Sequence, residues 1–313
     1  MPDSKLSNNK IYDYIKLWLK GCCIGIANII PGVSGGTVAF VFGIYEDLVK
    51  AIKSFDITCL KLLFTFKIKA LFNHIPWRFL AVVFFGVFTA ILSVSRGLSW
   101  LLQNKPVLVY AFFFGLILAT GPVIAKRVRK WNVPTGIALL LATVGTFFFV
   151  GLVPVTTPDT LWFLFLSGMI AAVSMILPGL SGAFMLVLIG KYQYILDAIN
   201  DGDIVSLGVV AFGCAVGVLV FVRGIHWLLT HKHDVTVAFL TGLVLGSLRK
   251  IWPWKVTLES ITSSKGKIIP IEQVNILPPQ INAETIYAVI LCAIGFYVAI
   301  KLSTPTPKQI TEE

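Results

Sequence analysis

Two copies of a Pro-Gly-x-Ser-Gly motif interrupt apolar stretches of this sequence, at residues 31–35 and 178–182. Proline ends the helix before it and glycine permits a tight reversal, so each motif predicts the tip of an apolar helical hairpin. The helix after each tip would begin with unpaired backbone N–H groups beside hydroxyl groups, which suits an anion. The candidate anion-binding residues at the tips are Asn28, Gly32, Ser34, Gly35, Gly36, Thr37, Gly179, Ser181 and Gly182.

The same motifs have two other interpretations. Ser34 and Ser181 precede new helices, where serine is a preferred N-cap, so the hairpins could serve packing alone. Each motif also reads Gly-x-Ser-Gly, as around the nucleophile of rhomboid-type intramembrane proteases. A nucleophilic serine needs a base within hydrogen-bond distance, and His226 is the only histidine within an apolar segment. Two equivalent serines sharing one histidine suit a transporter better than an enzyme.

Arg96 and Arg223 occupy equivalent positions in two long apolar segments. An arginine in such a segment is costly and usually faces an interior cavity or a partner. Its guanidinium group also offers fork geometry for phosphate or carboxylate, so both residues are candidate ligands of an anionic headgroup. The alternative is that both side chains extend towards the nearer headgroup layer.

Other polar residues are weaker candidates for chemistry. Glu46 and Asp47, at the end of the first hairpin, are candidates for coupling to a proton or a sodium ion, although a position at the membrane interface also explains them. His231 and His233 flank Lys232 without further ligands nearby, so no metal site is expected, and nothing in the sequence calls for a cofactor.

The composition requires a membrane around these residues. Hydrophobic residues make up 57% of the chain and charged residues 13%, with a mean hydropathy of +0.86. A soluble fold of 313 residues has too little core for that much apolar side chain. The net charge of +11 lies in short segments between apolar runs, which indicates membrane topology rather than nucleic-acid binding.

The apolar segments form two series that each begin with a broken hairpin. Each series predicts a hairpin plus three transmembrane helices, with an amphipathic basic insert at residues 57–77 of the first. The predicted units are a polar N-terminus (1–13), a first repeat (14–156), a second repeat (157–303) and a C-terminal tail (304–313). The apolar segments are 14–30, 37–52, 79–102, 107–125 and 136–153, then 161–177, 183–199, 205–229, 235–248 and 285–302.

The two series are copies of each other. Beyond the Pro-Gly motifs, the segment RGLSWLL at 96–102 matches RGIHWLL at 223–229 in the same order along the chain. The last apolar segments of the two series align with each other more loosely. Several collinear matches indicate duplication.

The positions of lysine and arginine residues predict how the chain is oriented in the membrane. The N-terminus and the segments around 50–78 and 126–130 are basic, which places them in the cytoplasm, whereas loops 151–160 and 200–207 contain no lysine or arginine. The two copies then have inverted topology, and both termini are cytoplasmic. The two tips are expected to meet near the membrane midplane, as in secondary transporters that work by alternating access around a site at the repeat interface. The basic loop at 249–283 falls on the external side and is an exception to this rule. The predicted fold is an all-α polytopic membrane protein of two inverted repeats, whose hairpins either span the membrane or are re-entrant.

The duplicated hairpins, and above all the segment NIIPGVSGGT at 28–37, resemble the bacterial polyprenyl-phosphate transporter family (PopT), over roughly residues 15 to 303. The resemblance implies a protein of the bacterial cell membrane that returns undecaprenyl phosphate, the lipid carrier of cell-wall synthesis, to the cytoplasmic leaflet, without catalysis. Alternatives left open are a carrier of small soluble anions, an intramembrane protease and a non-transporting scaffold. The second tip has Ala183 and Phe184 where the first has Gly36 and Thr37, so the two tips need not contribute equally. The oligomeric state is not predicted.

Overall fold

The computed structural model describes residues 4–262 and 268–303, and the predicted C-terminal tail at 304–313 lies outside the described residues. The first half is helical throughout. Its helices are α1 (Ser4–Ile29), α2 (Gly35–Val41), α3 (Tyr45–Lys53), α4 (Ile57–Phe64), α5 (Ile68–His74), α6 (Trp77–Asn104), α7 (Pro106–Leu118), α8 (Thr120–Ala125) and α9 (Val133–Phe149).

The second half has the same broken hairpin and long helix, but its described residues contain no counterpart of α4 and α5, and a β-hairpin precedes its last helix. Its elements are α10 (Leu161–Ile176), α11 (Gly182–Leu188), α12 (Tyr192–Asp201), α13 (Ile204–His231), α14 (His233–Ser247), a 3-10 turn (Leu248–Ile251), β1 (Lys255–Thr262), β2 (Ile268–Asn275) and α15 (Ala283–Leu302).

Four spans within the described residues are long and apolar enough to cross a membrane: α6, the continuous Pro106–Ala125 segment of α7 and α8, α13 and α15. Helices α9 and α10 are apolar but shorter. Large side chains such as Phe85, Leu92 and Phe212 are exposed along these helices, as expected for surfaces that face lipid. The prediction of a helical, multi-pass membrane protein is confirmed.

The second arm of each hairpin, a single apolar segment in the sequence, is broken into two helices. Gly43 separates α2 from α3 with φ +76°, and Gly190 separates α11 from α12 with φ +67°. Helices α11 and α12 meet at 103°. A helix of seven residues rises only about 10 Å, a third of the hydrocarbon layer. Helices α2 and α11 therefore cannot cross a membrane alone, which favours re-entrant hairpins.

Equivalent helices pack through equivalent glycines. Helix α1 packs against α6, and α10 packs against α13 in the same way. A Cβ atom on Gly21 would collide with the Val83 carbonyl, and one on Gly168 would collide with the Val210 carbonyl. Both glycines permit backbones to approach where any side chain would separate the helices.

The remaining helices pack across the two halves. Helix α7 packs against α15, and α9 packs against α14. Gly115 of α7 lies against the backbone of Cys292, and a Cβ on Gly242 of α14 would be 2.5 Å from the Leu139 carbonyl oxygen. Each half therefore contributes one helix to each of two interlocked pairs.

The connection at 249–283 contains a β-hairpin, which the all-helical prediction missed. Strands β1 and β2 pair antiparallel, with Lys255 opposite Asn275. Both strands contain β-branched residues, which favour this pairing over a helix. The hairpin begins directly after the 3-10 turn that ends α14, so it starts beside the helix bundle.

The basic insert of the first half forms two short helices, α4 and α5. The Asp56 carboxylate caps α4 by accepting a hydrogen bond from the Cys59 N–H at 2.9 Å, and it also lies 3.1 Å from His74 Nε2. Phe64, Phe66 and Phe72 are exposed. Aromatic side chains beside lysines are typical of a segment that lies at a membrane interface.

Candidate binding site at the hairpin tips

The first tip is built by Pro31 and Gly32 between α1 and α2. Gly32 has φ +85°, a left-handed conformation that a residue with a Cβ atom rarely adopts. Ser34 occupies the N-cap position of α2 but makes no side-chain cap hydrogen bond. Asn28 takes that role, because its Oδ1 accepts a hydrogen bond from the Gly35 N–H at 3.0 Å. The first tip therefore presents fewer free N–H groups than the sequence predicts.

The second tip has the same backbone and a less polar surface. Gly179 has φ +91°, and Ser181 sits at the N-cap of α11, again without a cap hydrogen bond. Met175 lies beside Gly182, as Asn28 lies beside Gly35. Because Met175 cannot cap the helix as Asn28 does, the tips differ in their polar groups. The serines lie at N-cap positions, but their side chains do not perform the capping that a purely structural interpretation gives them.

The two tips are in direct contact. The Gly179 N–H donates a hydrogen bond of 2.7 Å to Thr37 Oγ1, in a buried position. A Cβ atom on Gly36 would lie 2.9 Å from the Met175 carbonyl oxygen, so α2 packs closely against the end of α10. The structure thus brings together the predicted tip residues of both halves.

Two lysines that the sequence analysis did not select lie beside these tips. The Lys250 ammonium group is 4.6 Å from the centroid of the Phe184 ring, and a Cβ on Gly32 would be 3.3 Å from Lys250 Cγ. The Lys255 ammonium group is 4.5 Å from the centroid of the Tyr110 ring and donates a hydrogen bond to the Lys250 carbonyl. Tyr110 in turn donates a hydrogen bond of 3.2 Å to the Pro31 carbonyl.

These two lysines bring positive charge to the hairpin tips. No carboxylate among the residues whose side chains are described forms an ion pair with Lys250 or Lys255. Burial, followed by the positive charge of Lys250, lowers the pKa of Lys255 to about 7. Burial and the charge of Arg249 also lower the pKa of Lys250. A bound anion would relieve this repulsion. Both lysines lie in the basic loop at 249–283, the exception to the rule that basic loops are cytoplasmic. That exception could have identified them from the sequence.

Arg96 and Arg223 do not join the tips. Both side chains are exposed on the surfaces of α6 and α13, and no described hydrogen bond or ion pair connects them to the hairpins. Gly97 and Gly224 beside them have open space around them. The expectation that these arginines face an interior cavity is not met in this structure. A segment that is apolar on all sides does not indicate which face of the helix is exposed, so the sequence could not predict this.

Glu46 and Asp47 lie at the start of α3, at the far end of the first hairpin from its tip. Glu46 Oε1 is 3.3 Å from His233 Nε2 at the start of α14. His226 lines a cavity at that same end with Glu46 and is not placed beside either motif serine. The geometry does not assemble a serine–histidine pair at the described tips.

Comparison with known proteins identifies the family. A family model described as undecaprenyl phosphate translocase-like matches residues 24–269. A Vibrio cholerae protein named polyprenyl-phosphate transporter is 38% identical over 276 residues, covering 88% of this chain and 90% of that protein. A Staphylococcus aureus protein of the same name is 29% identical over 257 residues, covering 75% and 85%. No solved structure matches significantly. Both relatives are named as transporters and not as enzymes, and the chain belongs to the undecaprenyl phosphate translocase-like family.

Proposed function

We propose that this chain transports polyprenyl phosphate, with undecaprenyl phosphate as its substrate, from the outer to the cytoplasmic leaflet of the bacterial cell membrane. The names of its relatives support the substrate. The observation that carries the proposal is the contact between the two hairpin tips beside Lys250 and Lys255. A phosphate group needs such a polar, cationic position, while its polyprenyl tail stays in lipid through a lateral opening between the halves.

The phosphate site lies on the external side of the membrane centre in this proposal. Tyr110, which contacts the first tip, is about 6 Å from the start of α7 at Pro106. Lys250 lies in the 3-10 turn that follows α14. Charge placement in the sequence assigns both of these helix ends to the external face. A site near this face is positioned to receive a headgroup from the outer leaflet.

The duplicated hairpins suggest alternating access as the mechanism. In inverted-repeat transporters, one unit moves against the other around a site at the repeat interface. Here Thr37 and Gly179 form the hydrogen bond between the tips, and helix pairs α7–α15 and α9–α14 connect the halves. Movement of one tip away from the other would open the site to the cytoplasmic side. Both termini are cytoplasmic in this arrangement.

Arg96 and Arg223 take a supporting role in this proposal. Each lies eight residues, or about 12 Å, before the C-terminal end of its long helix. With inverted topology, Arg96 is near the external face and Arg223 is near the cytoplasmic face. Exposed arginines at these depths suit phosphate headgroups that approach or leave within each leaflet. Glu46 and Asp47 stay candidates for proton or sodium coupling, because they lie where the halves meet at the cytoplasmic end.

Transport can be tested with the full chain in sealed vesicles. Fluorescent polyprenyl phosphate in one leaflet should become protected from an impermeant quencher, and Arg96→Ala or Arg223→Ala should slow this several-fold without lowering the unfolding temperature. Lys130→Ala, which removes a positive charge from the cytoplasmic loop, is the matched control. Unchanged lipid distribution with the wild-type protein would reject the proposal, and uptake of free phosphate without lipid movement would favour a small-anion carrier.

The anion affinity of the site should fall as pH rises above 7. Lys255 has a pKa of about 7 in the ligand-free protein, so it is charged below this pH and neutral above it. A bound phosphate favours the charged form of Lys255 and raises its pKa. Above pH 7, Lys255 therefore takes up a proton when phosphate binds. Affinity should then decrease by up to about tenfold per pH unit through that window.

This dependence can be measured as the dissociation constant of a short-chain prenyl phosphate in nanodiscs between about pH 7 and pH 9, where the ligand's own charge is nearly constant. Lys255→Arg is the matched variant because arginine stays charged throughout. Its affinity should be nearly flat with pH. An equal slope in both proteins would show that Lys255 is not the titrating group.

A further inference from the structure

A polar cavity lies beside α3, at the far end of the first hairpin's second arm from its tip. It has a volume of about 290 Å³ and opens on the face that the charge pattern assigns to the cytoplasm. Its walls come from both halves, through α3, the α8–α9 connection and the junction of α13 with α14. The lining residues are Glu46, Lys50, Arg129, His226, Leu229, Thr230 and His233.

The charges that line this cavity are unbalanced. Lys50 and Arg129 are cations, and Glu46 is the only carboxylate in the lining. Glu46 lies 3.3 Å from His233 Nε2, so its charge is directed at the imidazole. No carboxylate in the described part of the chain lies within ion-pair distance of Lys50 or Arg129. Asp47, one turn before Lys50 on α3, interacts with its charge without forming an ion pair, so Arg129 and in part Lys50 are left to face an anion.

Arg129 is held in place through its backbone. Asp234, in the first turn of α14, accepts hydrogen bonds from the Arg129 N–H at 3.2 Å and the Lys130 N–H at 3.0 Å. Asp234 also lies 3.2 Å from His233 Nδ1. These contacts fix the α8–α9 connection onto α14 and leave the guanidinium group of Arg129 available. The cavity is therefore organised before any ligand arrives.

We propose that this cavity binds a phosphate monoester group on the cytoplasmic side, as a second site distinct from the hairpin tips. Its volume equals that of about ten water molecules at roughly 30 Å³ each, which suits a phosphate with part of its hydration shell and not a whole lipid. Arginine supplies paired donors for phosphate oxygens, and lysine supplies a mobile charge.

The position of the cavity gives it a role in release. This role rests on the proposed transport function. Helix α2 runs from the first tip to the break at Gly43, and α3 then brings Glu46 and Lys50 to the cavity. The tips and the cavity are thus at opposite ends of one hairpin arm. A headgroup that leaves the tips towards the cytoplasm would meet the cavity before it enters the cytoplasmic leaflet.

The test uses the full chain in nanodiscs of neutral lipid at one fixed pH. Lys250→Gln with Lys255→Gln removes the cations at the tips, and binding of inorganic phosphate and of farnesyl phosphate is then titrated by calorimetry. We expect this variant to retain binding of one or both ligands. Adding Lys50→Gln with Arg129→Gln should weaken that binding at least tenfold. Binding of farnesyl phosphate alone identifies a lipid headgroup as the occupant, and binding of both ligands identifies the phosphate group itself.

The matched control adds Lys126→Gln with Lys130→Gln, which removes the same charge from residues that do not line the cavity. This control should change affinity less than twofold, and unfolding temperatures establish that every variant is folded. Loss of all phosphate binding in the tip variant, or equal losses in cavity and control variants, would overturn the inference. Vesicle transport by the wild-type protein is a separate readout, so failure of the second site is distinguishable from failure of the transport proposal.

Discussion

Replacing both Lys250 and Lys255 by glutamine should weaken headgroup binding at the hairpin tips, and with it transport, by about a hundredfold or more, while the cytoplasmic cavity keeps its own affinity. A hydrogen bond to a charged group contributes about 1.5–3 kcal/mol, which is roughly ten- to a hundredfold for each lysine. The two ammonium groups lie within one small region at the hairpin tips, where the Phe184 and Tyr110 rings hold them. Removing both charges leaves the neutral groups of the two tips as the donors that contact a phosphate. The measurement is the dissociation constant of a short-chain prenyl phosphate, with and without the two tip substitutions, in protein that also carries Lys50→Gln and Arg129→Gln so that only the tips bind. The transport rate of the tip variant alone is measured in vesicles.

The control for this prediction is Lys126→Gln with Lys130→Gln, an equal loss of charge in the cytoplasmic loop. If both pairs reduce binding to the same extent, general electrostatic attraction explains the result and the tip site is wrong. The lysine variant should also be slightly more stable than the wild type, because burial lowers the pKa of both groups and the charged forms therefore destabilise the ligand-free fold. A large loss of stability would indicate that the lysines support the fold instead.

The sequence was sufficient for the hairpin tips because the signals there are local. Proline and glycine determine the reversal at Gly32 and Gly179, and both residues have the left-handed φ that only glycine adopts readily. Duplication of the motif then suggested that the tips meet, and the Thr37–Gly179 hydrogen bond is consistent with that. The length of the apolar runs was enough to predict where the long helices form.

The sequence was insufficient wherever the answer depends on tertiary packing. Lys250 and Lys255 reach the tips because the segment after α14 packs back against the helix bundle. Hydrophobic periodicity in the sequence does not predict that contact. Arg96 and Arg223 have the residue type and repeat position expected of ligands, yet both side chains lie on exposed helix faces. Apolar helices in a membrane have no polar face that would indicate their orientation, so residue type alone ranked the arginines above the lysines.

Gly179→Ala should destabilise the protein by about 2–4 kcal/mol and separate the two tips. Two independent penalties act at this position. The φ of +91° is unfavourable for any residue with a Cβ atom, at about 1 kcal/mol or more. The new Cβ would also lie 2.6 Å from the Leu243 carbonyl oxygen, and overpacking against backbone costs about 1–3 kcal/mol. Relief of that contact moves Gly179 away from α14 and disturbs its hydrogen bond to Thr37.

Gly202→Ala separates these two penalties. Gly202 also has a left-handed φ, of +71°, but no heavy atom lies within 4 Å of the position of its Cβ. This control should therefore show the backbone penalty alone, about 1 kcal/mol, with normal transport. Thermal unfolding in detergent and vesicle transport would be measured for both variants. If Gly179→Ala matches Gly202→Ala in stability and transport, the tip of the second hairpin has room to move away from α14, and close packing at Gly179 does not hold the two tips together.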